Sequence, residues 1–93
     1  MANKRHLKKS INCIADMLID NCIILHQNLS EEYSQEVLKH AEHILETRNE
    51  HLRRVSHPEP GNIKASYRKI KESYSKEVGN IINDLSTLFE KLS

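Results

Sequence analysis

A single apolar stripe runs through the last third of the chain and constrains its fold more than any other feature. From Ile63 to Leu92, apolar residues recur at alternating steps of three and four. Such steps place side chains on one face of an α-helix. The stripe consists of Ile63, Tyr67, Ile70, Tyr74, Val78, Ile81, Leu85, Leu88 and Leu92. It predicts a long C-terminal helix, over about residues 62–92, with one buried face.

The hexapeptide Ser56–Gly61 ends any helix that precedes this stripe. It contains both prolines of the chain, Pro58 and Pro60, and Gly61, one of its two glycines. Each proline lacks a backbone donor, and its ring clashes with the preceding helical turn. We therefore predict that both prolines lie in a connection between two antiparallel helices and not in a kink of one continuous helix.

Two further helices are predicted before this break, over about residues 4–27 and 31–55. The stripe of the first consists of Leu7, Ile11, Ile14, Leu18, Cys22, Leu25 and Leu29. The stripe of the second consists of Leu38, Ala41, Leu45, Arg48, Leu52 and Val55, flanked by Val37 and Ile44. Arg48 can bury its methylenes there while its guanidinium reaches solvent or a carboxylate.

The predicted fold is an all-α, up-down-up antiparallel three-helix bundle. The chain has 93 residues, which is the size of one domain, and it lacks strand-like alternation. Short connections between long helices make consecutive helices antiparallel neighbours. Residues 1–93 are therefore predicted to form a single helical domain.

The first helix carries more apolar residues than one buried face requires. With Leu18 as the origin and about 100° per residue, Met17 lies near −100° and Ile24 near −120°. Cys13 lies near −140° and Ile23 near +140° on the same scale of about 100° per residue. Left in water, these residues would form an apolar patch that soluble monomers rarely expose. We therefore predict a homo-oligomer, most simply a homodimer, with Cys13, Met17, Ile23 and Ile24 in its interface.

Charged residues are unevenly distributed, although the formal net charge is only +1. In an up-down-up bundle, the start of helix 1, the end of helix 2 and the start of helix 3 meet at one end, here called the basic pole. Its cations are Lys4, Arg5, Lys8, Lys9, Arg53, Arg54, Lys64, Arg68, Lys69 and Lys71, and its histidines are His6, His51 and His57. Such a pole can bind phosphate groups or nucleic acid. The small net charge and the lack of interleaved aromatic residues favour one of two alternatives, a solvated surface or contact between the basic end of one copy and the acidic end of another.

No catalytic, cofactor or metal site is predicted. His40 and His43 are three residues apart on helix 2, but helical geometry turns them towards solvent. The chain has no Gly-rich phosphate loop and no strand–turn–helix elbow that could position a nucleophile. The tyrosines Tyr33, Tyr67 and Tyr74 are interpreted as stripe or flank residues whose hydroxyl groups reach water.

The two cysteines indicate the kind of compartment in which the protein folds. Cys13 and Cys22 face opposite ways about 13 Å apart along one helix, so they cannot bond within it or form a paired-cysteine zinc site. Unpaired cysteines suit a reducing compartment, and no apolar run has membrane-spanning length.

The segments Asn3–Asn12 (NKRHLKKSIN) and Arg54–Gly61 (RVSHPEPG) resemble a group of short, uncharacterised helical proteins from Bacteroides-like bacteria. The resemblance implies a cytoplasmic bacterial protein and brings with it no activity, cofactor or site residue.

Together these patterns favour a protein that acts by binding. The predicted function is a non-catalytic, oligomeric helical interaction or adaptor module that binds an unidentified protein partner and no membrane. The alternative is a nucleic-acid- or phosphate-binding module that uses the basic pole. Retention on nucleic acid that falls with salt would separate the two, because phosphate contacts release counterions.

Overall fold

The computed structural model describes residues 4–92 of the chain, which form three α-helices and no strand. Helix α1 spans Lys4–Asn28, α2 spans Ser34–Ser56 and α3 spans Ile63–Glu90. The all-helical prediction is confirmed. The second helix begins later than expected because Glu31–Tyr33 form a separate 3-10 turn. The third helix ends at Glu90, two residues before the predicted end.

The break between α2 and α3 contains both prolines, as predicted. Gly61 has φ +108°, a backbone conformation that glycine adopts without a Cβ clash. The next residue, Asn62, caps α3 by accepting a hydrogen bond from the backbone N–H of Ala65 at 3.0 Å. The backbone N–H of Glu59 donates to Ser66 Oγ at 3.3 Å and fastens the connection to the first turn of α3.

The three helices pack against one another in pairs, and consecutive helices run antiparallel. Residues from the start of α1, the end of α2 and the start of α3 share one cluster, here called the tyrosine cluster. Its members are Leu7, Ile11, Val55, Tyr67, Ile70 and Tyr74. The other end holds the aliphatic cluster, which consists of Ala15, Leu18, Cys22, Leu25, Val37, Ile44, Ile81, Leu85 and Leu88. The body they build measures 50 × 17 × 17 Å.

The buried face of α2 differs from its predicted stripe. Leu38 and Leu45 are 47% and 38% exposed. The residues that α2 buries are Val37, Ile44, Thr47, His51 and Val55. The two faces differ by roughly 80° on a helical wheel. The prediction is wrong here because it placed Val37 and Ile44 at the flank of the stripe and left out Thr47 and His51, which are buried. Burial of His51 is possible because both of its ring nitrogens have hydrogen-bond partners.

The other two stripes are buried over most of their length. Helix α1 buries its predicted face with the addition of Ala15, while Ile14 and Leu29 are half-buried. The α3 stripe is exposed at its two ends, where Ile63 and Leu92 are 54% and 40% exposed. Both end residues lie beyond the region that the neighbouring helices cover.

Candidate functional site

A chain of hydrogen bonds links α2 to α3 beside the tyrosine cluster. Nδ1 of the buried His51 lies 2.8 Å from the Thr47 carbonyl oxygen, and Nε2 lies 3.0 Å from Ser73 Oγ. A carbonyl oxygen only accepts, so Nδ1 carries a proton, and in the neutral ring Nε2 then accepts from the Ser73 hydroxyl. Ser73 Oγ in turn accepts from Nη1 of Arg54 at 3.2 Å. The Arg54 guanidinium is thereby anchored at the edge of the core.

His51 was predicted to lie at the basic pole, and the structure shows in addition that its side chain is buried there. Its side chain is 2% exposed, and its ring lies against Tyr74 with centroids 5.0 Å apart and planes tilted by 57°. Burial is possible because both ring nitrogens have partners. The sequence signal was its spacing, since His51 follows Ile44 by seven residues and precedes Val55 by four.

Tyr74 also departs from its prediction. Its hydroxyl does not reach water but donates to the backbone oxygen of Ile11 at 2.9 Å, in a buried position. Burial raises the pKa of this hydroxyl, the Arg48 cation acts in the opposite direction, and the Asp16 carboxylate raises it further. This hydrogen bond fixes the position of α3 along the axis of α1.

A cleft of about 200 Å³ lies next to the anchored guanidinium, between the end of α2 and the start of α3. The side chains that line it are Arg54, His57, Glu59, Ser66, Lys69 and Ile70. Ile70 and Ser66 are buried, whereas His57, Glu59 and Lys69 are exposed. The lining thus combines two cations and an imidazole with one carboxylate.

Of the cations predicted to bind anions, Arg54 and Lys69 line this cleft. The others lie at the same end of the bundle on the outer surface. Those that are exposed are Lys4, Arg5, Lys9, Arg53, Lys64 and Arg68, and Lys8 is half-buried. Ser66 and Ile70 were not predicted as site residues, because no local motif connects them to Arg54 along the sequence.

The residues predicted for an oligomer interface are all exposed on α1. Met17 is 62% exposed, Ile23 49% and Ile24 45%, and Cys13 is also exposed. These are large apolar side chains on a helix whose opposite face is already buried in the bundle. They form a surface, here called the α1 surface, that no residue in the described part of the chain covers.

Further exposed apolar residues lie on the neighbouring helices. Ile82 of α3 is 48% exposed, and Leu38 and Leu45 of α2 are exposed to a similar degree. The bond between Tyr74 and Ile11 sets Ile82 at about the level of residue 19 of α1, between Met17 and Ile24. Helical spacing turns Ile82 away from the side of α3 that contacts α2. The sequence prediction missed all three residues because each was assigned to a buried stripe or passed over.

Residues 4–92 contain His, Cys, Asp and Glu side chains, which are types that bind metal ions. No group of three or more His, Cys, Asp or Glu side chains there could hold a metal ion. His43 Nε2 lies 3.7 Å from Glu77 Oε2 in an exposed contact. Cys13 is exposed and Cys22 is buried, and burial raises the pKa of the Cys22 thiol.

Comparisons with known proteins do not identify a relative. No protein-family model matches the chain, and searches of curated proteins and of solved structures give no match. Among the described residues, no helix is both long enough and apolar enough to cross a membrane. Function is therefore inferred from the geometry of the chain itself.

Proposed function

We propose that the protein is a non-catalytic interaction module that forms a homodimer through the α1 surface. The observation that carries this proposal is the exposure of Met17, Ile23 and Ile24 on one helix, with Cys13 beside them. Complete burial of such a side chain contributes roughly 1.5–3 kcal/mol. A few partly exposed residues from each of two copies therefore supply a useful association energy.

The shape and size of the molecule also support pairing. A stable interface buries about 800 Å² on each partner, and one face of this body measures 50 × 17 Å. A domain of 93 residues has a small core and is marginally stable on its own, so surface area buried between two copies adds to the stability of each. Two-fold symmetry is the commonest closed arrangement and would place α1 against its own copy.

Sedimentation velocity at micromolar concentration tests the proposal. The wild-type protein is expected to sediment as a dimer, and the double variant Met17→Lys, Ile24→Lys as a helical monomer, because two buried ammonium groups would oppose association. The matched control is Gln35→Lys, Asn80→Lys, which adds the same charge at exposed positions of α2 and α3. This control is expected to remain dimeric. A wild-type protein that sediments as a monomer would contradict the proposal.

A second candidate function is binding of a polyanion at the basic pole, favoured by the cations that surround the cleft. Seven of the nine cations predicted to bind anions are exposed there, and phosphate contacts by such residues release counterions. Retention on a nucleic-acid column that falls steeply with salt is the expected outcome. Retention that does not change when Lys8, Lys9, Lys64 and Arg68 are replaced by Glu would contradict this second candidate.

A further inference from the structure

The anchored guanidinium of Arg54 is the first element of a site that neither the dimer nor a solvated surface requires. Its hydrogen bond to Ser73 uses one of the five N–H donors that a guanidinium carries. Ser73 is itself held by His51, which is held by the Thr47 carbonyl. The side chain therefore loses less conformational freedom when it binds a ligand than a mobile surface arginine would.

Other donors converge on the same cleft from both sides of the connection. Lys69 comes from α3 and His57 from the end of α2. The buried Ser66 accepts the N–H of Glu59 through its oxygen, so its own proton remains able to donate. Guanidinium, ammonium and hydroxyl donors together match the acceptor oxygens of a small anion.

The size and lining of the cleft restrict the kind of anion. Its volume of about 200 Å³ is below the roughly 300–1,000 Å³ of typical small-molecule pockets. The residues that line it include no Phe, Tyr or Trp on which a nucleic-acid base could stack. With one carboxylate against two cations, the cleft favours a compact group of high charge density over an extended chain.

We propose that this cleft binds a terminal phosphate group, either as inorganic phosphate or as a small phosphomonoester. Arg54 contacts two phosphate oxygens through its free edge, Lys69 neutralises charge from the opposite side, and Ser66 donates to a third oxygen. Ser73 and His51 are positioning residues that hold the guanidinium. The proposal narrows the second candidate function to one group and one cleft, and it does not depend on the homodimer.

The test is a titration followed by ¹H–¹⁵N NMR at constant pH and constant ionic strength, with sodium phosphate exchanged against sodium chloride. Saturable shifts are expected at the backbone amides of residues 54–70. Replacing Arg54 and Lys69 by Gln is expected to weaken binding about tenfold or more, because two charge-assisted contacts are lost. The matched control, Lys39→Gln with Lys76→Gln, removes the same charge from exposed positions elsewhere and is expected to change binding less than about twofold.

Two further experiments test the positioning role of Ser73 and distinguish inorganic phosphate from a phosphomonoester. Ser73→Ala frees the guanidinium without removing charge, so binding is expected to weaken by a smaller factor, about threefold, with helicity unchanged. Glycerol phosphate in place of inorganic phosphate shows whether the cleft admits a monoester. Tighter binding of glycerol phosphate identifies a phosphomonoester as the ligand, and weaker binding identifies inorganic phosphate.

Several outcomes would overturn the assignment. One is the absence of saturable shifts with both phosphate probes, and another is an equal loss of binding in the control variant. Binding of a single-stranded oligonucleotide without saturable binding of phosphate would leave the second candidate function intact and remove this cleft from it. If the double variant loses helicity, Lys69→Gln alone serves as the test, because Lys69 is exposed.

Discussion

The core differs between the two ends of the bundle. The aliphatic cluster is lined by Leu, Ile, Val, Ala and one Cys, and burial of such groups is favourable without being directional. The tyrosine cluster contains Tyr67 and Tyr74, with His51 packed on it. Hydrogen bonds there require particular distances and angles. One end thus contributes mostly stability, and the other also fixes how the helices are aligned.

The directional contacts of the tyrosine end connect all three helices. Tyr74 joins α3 to α1 through its bond to Ile11, and His51 joins α2 to α3 through Ser73. A helix that slid by one turn would break these bonds and leave buried polar groups without partners, which costs about 1–3 kcal/mol for each group. The candidate phosphate cleft lies beside this network, where side-chain positions are most strongly determined.

The largest expected effect comes from removing an aliphatic side chain from the aliphatic cluster. Leu25 is 0% exposed, and Leu25→Ala is expected to lower the free energy of unfolding by about 2–5 kcal/mol through lost burial and the cavity left behind. Urea unfolding followed by circular dichroism measures the change.

The matched control for this variant is Leu38→Ala, the same replacement at a position 47% exposed. In an isolated bundle it is expected to cost less than about 0.5 kcal/mol. If both replacements cost the same, then Leu38 is buried in the assembled protein, and the exposed flank of α2 belongs to an interface together with the α1 surface.

The sequence was sufficient to predict the features of the fold that depend on apolar spacing and on proline. The α3 stripe, the proline break and the inward face of α1 follow from steps of three and four and from the lost backbone donors. The same reasoning placed Leu38 and Leu45 in the core. It failed because the side of α2 that faces the core carries His51 and Thr47. A polar residue is buried only where other parts of the structure supply its hydrogen-bond partners, and the spacing of apolar residues does not show this.

The candidate site was harder to predict than the fold. Exposed Met17 and Ile24 follow from the helical wheel, because they lie on the wide apolar arc of α1. The up-down-up topology placed Arg54 and Lys69 at the same end of the bundle. It did not predict the cleft, in which Ser66 and Ile70 join them and Arg54 is held by Ser73. Periodicity describes one helix at a time and contains no information on which side chains meet across helices.

At the tyrosine end, a smaller effect is expected from removing one hydroxyl group. Tyr74→Phe keeps the ring and deletes the hydrogen bond to Ile11, which contributes about 0.5–1.5 kcal/mol. Tyr67→Phe, in the same cluster, is the control for the loss of a hydroxyl. A change of more than about 2 kcal/mol for Tyr74→Phe would show that the bond is part of a cooperative network.

The same tyrosine predicts a dependence of stability on pH. Burial raises the pKa of Tyr74 above the ordinary tyrosine value of 10.0, so in the folded protein the hydroxyl keeps its proton after the unfolded chain has lost it. The stabilisation is complete below pH 10 and is lost as pH rises through the folded-state pKa. Unfolding free energies measured between pH 9 and 11 are expected to fall more steeply for the wild type than for Tyr74→Phe. Parallel curves would show that the hydroxyl ionises equally in both states, and Cys22, present in both proteins, cancels in the difference.

The smallest expected effect lies where the two clusters meet, at Gly79 in the middle of α3. A Cβ added there would meet no atom within 4 Å, and glycine within a helix is roughly 0.5–1 kcal/mol less favourable than alanine. Gly79→Ala is therefore expected to stabilise the protein by that amount in urea unfolding. The same change at Gly61, whose φ is +108°, is expected to destabilise it by roughly 1–2 kcal/mol, because a Cβ is strained in a left-handed conformation. Because the two replacements are chemically identical, opposite changes in the free energy of unfolding would be due to the backbone conformation at each position.

A destabilising Gly79→Ala, together with a shift from dimer to monomer in sedimentation, would mean that a second copy contacts α3 at this glycine. The interface would then extend from the α1 surface across the junction of the two clusters.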